Sequence, residues 1–326
     1  MTYKKKVIIL SGVAIALALV YLLTIVFDPQ RVAARSSDSY SWLDPQEIPL
    51  ISGIIIKRPV DEDNTVALSR NGGKWFVTHE GKDYPARQLR VEDFIAALAK
   101  KTPYPVRSSN ASSHERLYLI EDGATRVTLS GGAGLPILDM LIGAPDVTGQ
   151  NVYLRKLGEN TVRFGEDRFT SYTRNTYTWW FNLFLFPESE DGSLDVAGIQ
   201  RVTVYSPSED DVTSLPHVIT RRNREWTFNF ELENPDMGKV DSYLRDVLNA
   251  AGTDFAEDVT AASPVFNYAR IELQLGDGSL RSVRFGPPDE NDRYFAAVSG
   301  SNMAYVIPAW TMTRLFPDFH DFGSPN

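Results

Sequence analysis

Residues 66–79, VALSRNGGKWFVTH, decide the fold. Two β-branched and aromatic runs, Thr65–Arg70 and Lys74–His79, flank Asn71-Gly72-Gly73. A turn this short between extended runs needs positive φ, which Asn and Gly supply cheaply, so the stretch predicts a β-hairpin. The pattern returns at residues 217–230, HVITRRNREWTFNF, where Trp226 stands as Trp75 does in the first copy.

Working outward, the same landmarks flank both hairpins in the same order. Gly53-Ile54 opens a short strand before the first, and Gly198-Ile199 before the second. After the first, RVEDFIAALAKK sets Val91, Phe94, Ile95 and Leu98 on one helical face, with Lys100 and Lys101 at the end that suits the helix dipole. After the second, NPDMGKVDSYLRDVLNAAG sets Val240, Tyr243, Leu244, Val247, Leu248 and Ala251 on one stripe; Asn234 and Asp236 are both candidate caps, and Gly252 is the expected stop. Arg126–Leu129 then answers to Arg270–Leu273, Ile142-Gly143-Ala144-Pro145 to Phe285-Gly286-Pro287-Pro288, and Tyr153 to Tyr294. Trp180 with Phe186-Pro187 answers to Trp310 with Phe316-Pro317. The expected fold class is α+β: two tandem repeats of a β-rich module made of a hairpin, an amphipathic helix and an antiparallel meander. Helix on sheet is the natural two-layer way to bury such faces. The modules are placed at residues 51–190 and 191–326.

The amino terminus reads differently. Val7–Phe27 carries no charge and is long enough to cross a hydrocarbon core of ~30 Å at ~1.5 Å per residue. Lys4–Lys6 precede it, so residues 1–6 are expected to stay cytoplasmic and the rest of the chain to lie outside. A cleaved signal peptide is the competing reading, but signal h-regions run to only ~7–15 apolar residues. Gly12, Ala14, Ala16 and Ala18 have the small-residue spacing of a helix-packing face, a spacing that Ala and Gly also produce through their frequency in membrane spans. Residues 28–50, rich in Ser, Asp and Pro, read as a stalk.

Composition narrows the chemistry. A net charge of −9 disfavours nucleic acid or an anionic lipid surface as partner. The absence of cysteine rules out disulfides, thiol catalysis, thiolate metal sites and a lipoprotein anchor. His79, His114, His217 and His320 show no metal-ligand spacing, and no nucleophile elbow or phosphate loop is present. Gly131–Gly134 sits between two strands, unlike a phosphate cradle, which opens a helix. The acidic runs Glu209–Asp211 and Asp289–Asp292 read as solvated turns, and Asn110-Ala111-Ser112 is a glycosylation sequon only in a eukaryotic secretory pathway. No catalytic, cofactor or metal residue is assigned. The remaining feature is YTRNTYTWWFNLFLF, residues 172–186, so rich in aromatics that two readings stay open: a core between modules, or a partner-binding patch carried by Trp179, Trp180, Phe181 and Phe184.

An anchor, a strand at Gly53-Ile54, a hairpin through Gly73-Lys74-Trp75, a helix over Val91–Leu98, the Leu141-Ile142-Gly143 turn and the strand Val152-Tyr153-Leu154-Arg155 together resemble the domain of unknown function 4340 family. That resemblance covers nearly the whole segment after the anchor. It departs at Leu117-Tyr118-Leu119-Ile120, where members usually carry a Tyr-Gly-Leu turn. It implies a bacterial envelope protein of the kind found with gliding-motility-type ABC-transporter permeases and ATPases, and it brings no catalytic residues. The expectation is therefore a non-enzymatic, single-pass accessory or scaffold subunit in the bacterial inner membrane, with its C-terminal part periplasmic and with permease and ATPase subunits as partners. The alternative is an extracytoplasmic ligand-binding protein using a cleft between the repeats. A hydrolase whose site assembles only on folding is a third class, for which no sequence feature argues.

Overall fold

The structure, a computed structural model, describes Leu17, Tyr21 and residues 39–59, 65–189, 192–208, 215–223 and 225–323. The expected membrane span, with Gly12, Ala14, Ala16 and Ala18, lies outside the described residues apart from Leu17 and Tyr21. No helix among the described residues is long and apolar enough to cross a membrane. The chain is a mixed α/β protein built on two large antiparallel sheets. It divides into two compact units, one of residues 1–83 and 91–179, the other of residues 84–90 and 180–326.

In the first half the elements are β1 (Ser39–Tyr40), β2 (Gly53–Lys57), β3 (Val66–Asn71), β4 (Lys74–His79), β5 (Lys82–Pro85), α1 (Gln88–Ala99), β6 (Thr102–Pro103) and β7 (Val106–Ser108). They continue with β8 (Thr125–Ser130), β9 (Pro136–Pro145), β10 (Asn151–Lys156), β11 (Val162–Glu166), α2 (Thr170–Thr173) and α3 (Tyr177–Trp180). The nine-stranded sheet runs β5-β4-β3-β2-β8-β9-β10-β11-β7, and β1 pairs separately with β6. Asn71 pairs with Lys74, so the hairpin loop is Gly72-Gly73 rather than the Asn-Gly pair. Both glycines take positive φ, 56° and 82°, which a two-residue loop joining right-twisted strands requires. β2 alternates as its half-buried sheet demands: Ile54 and Ile56 are buried and Ile55 is 48% exposed. The face of α1 formed by Val91, Phe94, Ile95 and Leu98 is buried.

The second half comprises β12 (Ile199–Tyr205), β13 (His217–Arg222), β14 (Glu225–Phe228), α4 (Met237–Leu248), β15 (Asp254–Thr260), β16 (Ala269–Leu275), β17 (Leu280–Phe285), β18 (Tyr294–Val298), β19 (Met303–Ile307) and α5 (Ala309–Leu315). Its eight-stranded sheet runs β14-β13-β12-β16-β17-β18-β19-β15. With β5 set aside, the two strand orders correspond one for one.

Several elements go beyond the sequence pattern. β7, which comes after α1 and the two-residue β6, and β15, which follows α4, close one edge of each sheet; they show no apolar alternation, because an edge strand with solvent on one side needs little. The stripe of α4 stops at Leu248 with Asn249 as its cap, while Ala251 makes an isolated bridge to Phe184. Gly252 does not end the helix. It is needed because a Cβ there would sit 2.7 Å from the Val306 carbonyl oxygen. Of the two candidate caps, Asp236 caps α4, its carboxylate accepting from the amides of Gly238 and Lys239.

Candidate functional site

An open groove of about 1380 Å³ lies in the second unit. One wall is α4, one the loop over residues 231–236, and one the segment from Arg314 to the 3-10 turn Phe319–Phe322. The rims are tied together. The amide of Asp236 donates to the Phe322 carbonyl at 2.8 Å, and Pro235 and Gly323 form an isolated antiparallel bridge. Gly323 is required there, since a Cβ would lie 2.8 Å from the Glu233 carbonyl oxygen. The groove therefore exists without needing a ligand to form it.

Its polar groups divide into two sets. Asp236 caps the helix, and Lys239 donates through Nζ to the Asp321 carbonyl at 2.8 Å and the Gly323 carbonyl at 3.2 Å. Tyr243 is buried beneath the floor; its hydroxyl donates to the Leu315 carbonyl at 3.1 Å, and burial pushes its pKa far up. These groups hold the walls. The second set, Glu231, Glu233 and Asp321, is exposed and has no ion-pair partner among the described residues. Arg314 lies 3.9 Å from Asp246 and stands over the ring of Trp310 at 5.0 Å; Trp310 is 58% exposed.

Behind the turn, the fold brings together groups that the sequence keeps far apart. The His217 ring stacks on Phe319 at 4.4 Å, and Phe230 and Tyr243 both pack edge-on against Phe319. Burial, with a smaller effect from His320, lowers the His217 pKa, and Asp318 opposes them. His79 stacks on Tyr177 at 3.5 Å, and buried His114 meets the Asn160 carbonyl at 3.1 Å. Among the described residues no three histidines or carboxylates converge to hold a metal ion.

The aromatic stretch is not a single patch. Trp179 is half-buried, edge-on to Tyr172 at 6.1 Å. Trp180 is fully buried, and its carbonyl accepts from the Arg87 amide. Phe181 is 3% exposed and packs on Tyr84 and Phe255. Phe184 is half-buried beneath the Arg87 guanidinium at 5.0 Å. Trp180 and Phe181 thus present no useful area to a partner, whereas Trp179 and Phe184 keep some. The sequence reading passed over the groove. Its one local signal was the Glu231–Asp236 segment ahead of a helix, which by itself reads as a polar cap region.

The model of a family described as Domain of unknown function (DUF4340) matches residues 75–265, from the tryptophan of the first hairpin to the loop after β15. The chain belongs to this family. A protein of Treponema pallidum (strain Nichols), described only as an uncharacterized protein, is 26% identical over 164 residues. That match covers 48% of this chain and 52% of the treponemal protein, so the chain spans about half the length of the curated relative it matches. No solved structure matches the chain. The family region begins within β4 and holds the second hairpin, α1 and α4, and the loop of the groove's acidic wall, but it ends before the Arg314–Gly323 wall.

Proposed function

We propose that this protein is a non-enzymatic, membrane-anchored scaffold: an accessory subunit of an ABC-type transporter or related envelope complex in a bacterial inner membrane. Residues 7–27 are its single span, residues 1–6 its cytoplasmic end, and two tandem copies of one module (residues 51–190 and 191–326) its periplasmic part. The observation that carries the reading is the use of polar groups in the groove beside α4. Asp236, Lys239 and Tyr243 are committed to backbone partners that hold its walls, which suits a rigid docking surface better than a reaction centre, where acid and base must be free to exchange protons. The uncharged segment 7–27 and the resemblance to transporter-associated envelope proteins support the membrane setting.

The test is gentle solubilisation of the tagged full-length protein from native membranes, with mass spectrometry of what co-purifies. A polytopic permease and an ATPase should appear. Their loss on replacing Val7–Phe27 with an unrelated span locates the contact in the membrane, and their retention locates it in the periplasmic part. A protein that purifies alone refutes the transporter assignment.

A further inference from the structure

We propose that the groove between α4, the 231–236 loop and the Arg314–Gly323 wall docks an extended, cationic peptide segment of a protein partner. This rests on the scaffold reading above only in taking the protein to be a docking component.

Charge complementarity selects the occupant. Five carboxylates line the groove, against Lys239, Arg314 and one histidine. Lys239 is already held on two carbonyl oxygens and Arg314 on Asp246 and Trp310, so both cations are engaged by the protein itself. Glu231, Glu233 and Asp321 are exposed and have no ion-pair partner among the described residues. An anionic lipid or a nucleic acid is repelled from such a surface.

A single bound cation does not suit the arrangement either. Calcium needs several oxygens at ~2.3–2.6 Å from one point, and the described carboxylates do not cluster in that way. The acids instead are shared among three elements of an open groove: Glu231 and Glu233 on the 231–236 loop, Asp246 on α4 and Asp321 on the C-terminal turn. An extended chain advances ~3.3 Å per residue and turns alternate side chains to one face, so it can offer a cation at every second position to carboxylates spaced along a wall. The groove lining also includes half-buried Leu232 and Pro317 and buried Tyr243 and Phe322, and these favour apolar residues between the cations. Trp310, 58% exposed and covered on one face by groove-lining Arg314, belongs to a residue type that dominates binding energy at protein interfaces. The bridged rims mean that docking orders little of this protein, which lowers the entropic cost of association.

The experiment uses the full-length protein in neutral detergent and a fluorescein-labelled peptide of alternating lysine and valine, with a glutamine-for-lysine peptide as control. Anisotropy titration should show the lysine peptide binding about tenfold more tightly than the control at low salt, with that advantage lost as salt approaches the range where the Debye length is only ~3–5 Å. Glu231→Gln with Glu233→Gln and Asp321→Asn should together remove about tenfold of the affinity. All three side chains are exposed, so the thermal midpoint should not move, and it serves as the folding control. Trp310→Ala should weaken binding without changing the salt dependence. Equal affinity for both peptides, or unchanged affinity in the triple variant, overturns the proposal. If permease and ATPase co-purify while the triple variant binds the peptide like the wild type, the groove assignment falls and the scaffold stands. If the peptide discriminates as expected but no transporter subunit co-purifies, the transporter reading falls and the groove stands.

Discussion

Arg155 lies on β10, is only 8% exposed, and has no carboxylate partner within ion-pair distance among the described residues. Its guanidinium instead donates to three backbone carbonyls: Leu119 at 2.9 Å, Glu159 at 3.1 Å and Lys156 at 3.4 Å. Leu119 is part of a small buried cluster with Ala124, Leu141 and Val162, so Arg155 fixes the 115–121 loop onto the sheet. Arg155→Met keeps the apolar stem and removes the donors. The long Lys156 contact contributes little. The Glu159 carbonyl belongs to an exposed residue and can recover water, whereas the Leu119 carbonyl belongs to a fully buried one and costs ~1–3 kcal/mol if left unpaired. Against this stands relief of the burial that lowers the arginine's pKa. We expect a net loss of about 2 kcal/mol, or ~4–8 °C in Tm for a unit of this size. Arg155→Lys should fall between, because a single ammonium nitrogen lacks the planar fork whose Nε and Nη1 reach the Leu119 and Glu159 carbonyls separately. Urea unfolding gives the free energy, and hydrogen exchange at the Leu119 and Ala124 amides, which donate to the carbonyls of His114 and Ile120, localises it. A methionine variant as stable as wild type, with unchanged protection at those amides, would refute the reasoning and show that burying the charge costs as much as its hydrogen bonds return.

Other consequences are equally direct. Asp236→Ala removes the carboxylate that accepts from two amides at the start of α4 and should cost about 1 kcal/mol, read as a lower urea midpoint; Asp236→Ser should recover most of it. Gly252→Ala should destabilise by ~1–3 kcal/mol, because the backbone must move to relieve contact with the Val306 carbonyl; an alanine variant with unchanged Tm contradicts the packing described. The His217 pKa is lowered in the folded state, so the stability linked to its neutral form is complete above the ordinary value of 6.5 and is lost as pH falls through the folded value. His217→Phe should therefore flatten the stability profile below that pH. Asp146 is held down to about 2 by hydrogen bonds, first from the Asn151 side chain and then from the Thr148 hydroxyl. Its contribution is present above the ordinary carboxylate range and lost as pH falls towards 2, so Asp146→Asn should remove part of the acid limb of an unfolding profile measured from pH 5 downward.

Both repeats use that aspartate in the same way, which shows how far local pattern reaches. Asp146 follows Pro145 and closes the β9–β10 turn; Asp289 follows Pro288 and closes the β17–β18 turn by accepting from the amides of Asn291 and Arg293. The hairpins, the faces of α1 and α4, and the order of landmarks were legible for the same reason. Each depends on residues within one or two turns of chain, through positive φ, capping, or a period of 3.6 or 2. The edge strands β7 and β15 were not legible, because pairing partners lie far along the chain and their side chains need no pattern.

Local pattern along the chain sets the two hairpins, the buried faces of α1 and α4 and an order of landmarks that occurs twice. The environment that each landmark occupies is set by folding alone. Trp180 and Trp310 hold matching places in sequence, yet the first is fully buried and the second is 58% exposed beside Arg314. The carboxylates of the groove belong to a loop, a helix and a C-terminal turn that share no local signal, and Arg155 looks like any charged strand residue until Leu119 closes over it. Burial and charge pairing are properties of the surface that other segments cover or leave open, and no spacing along the chain encodes them.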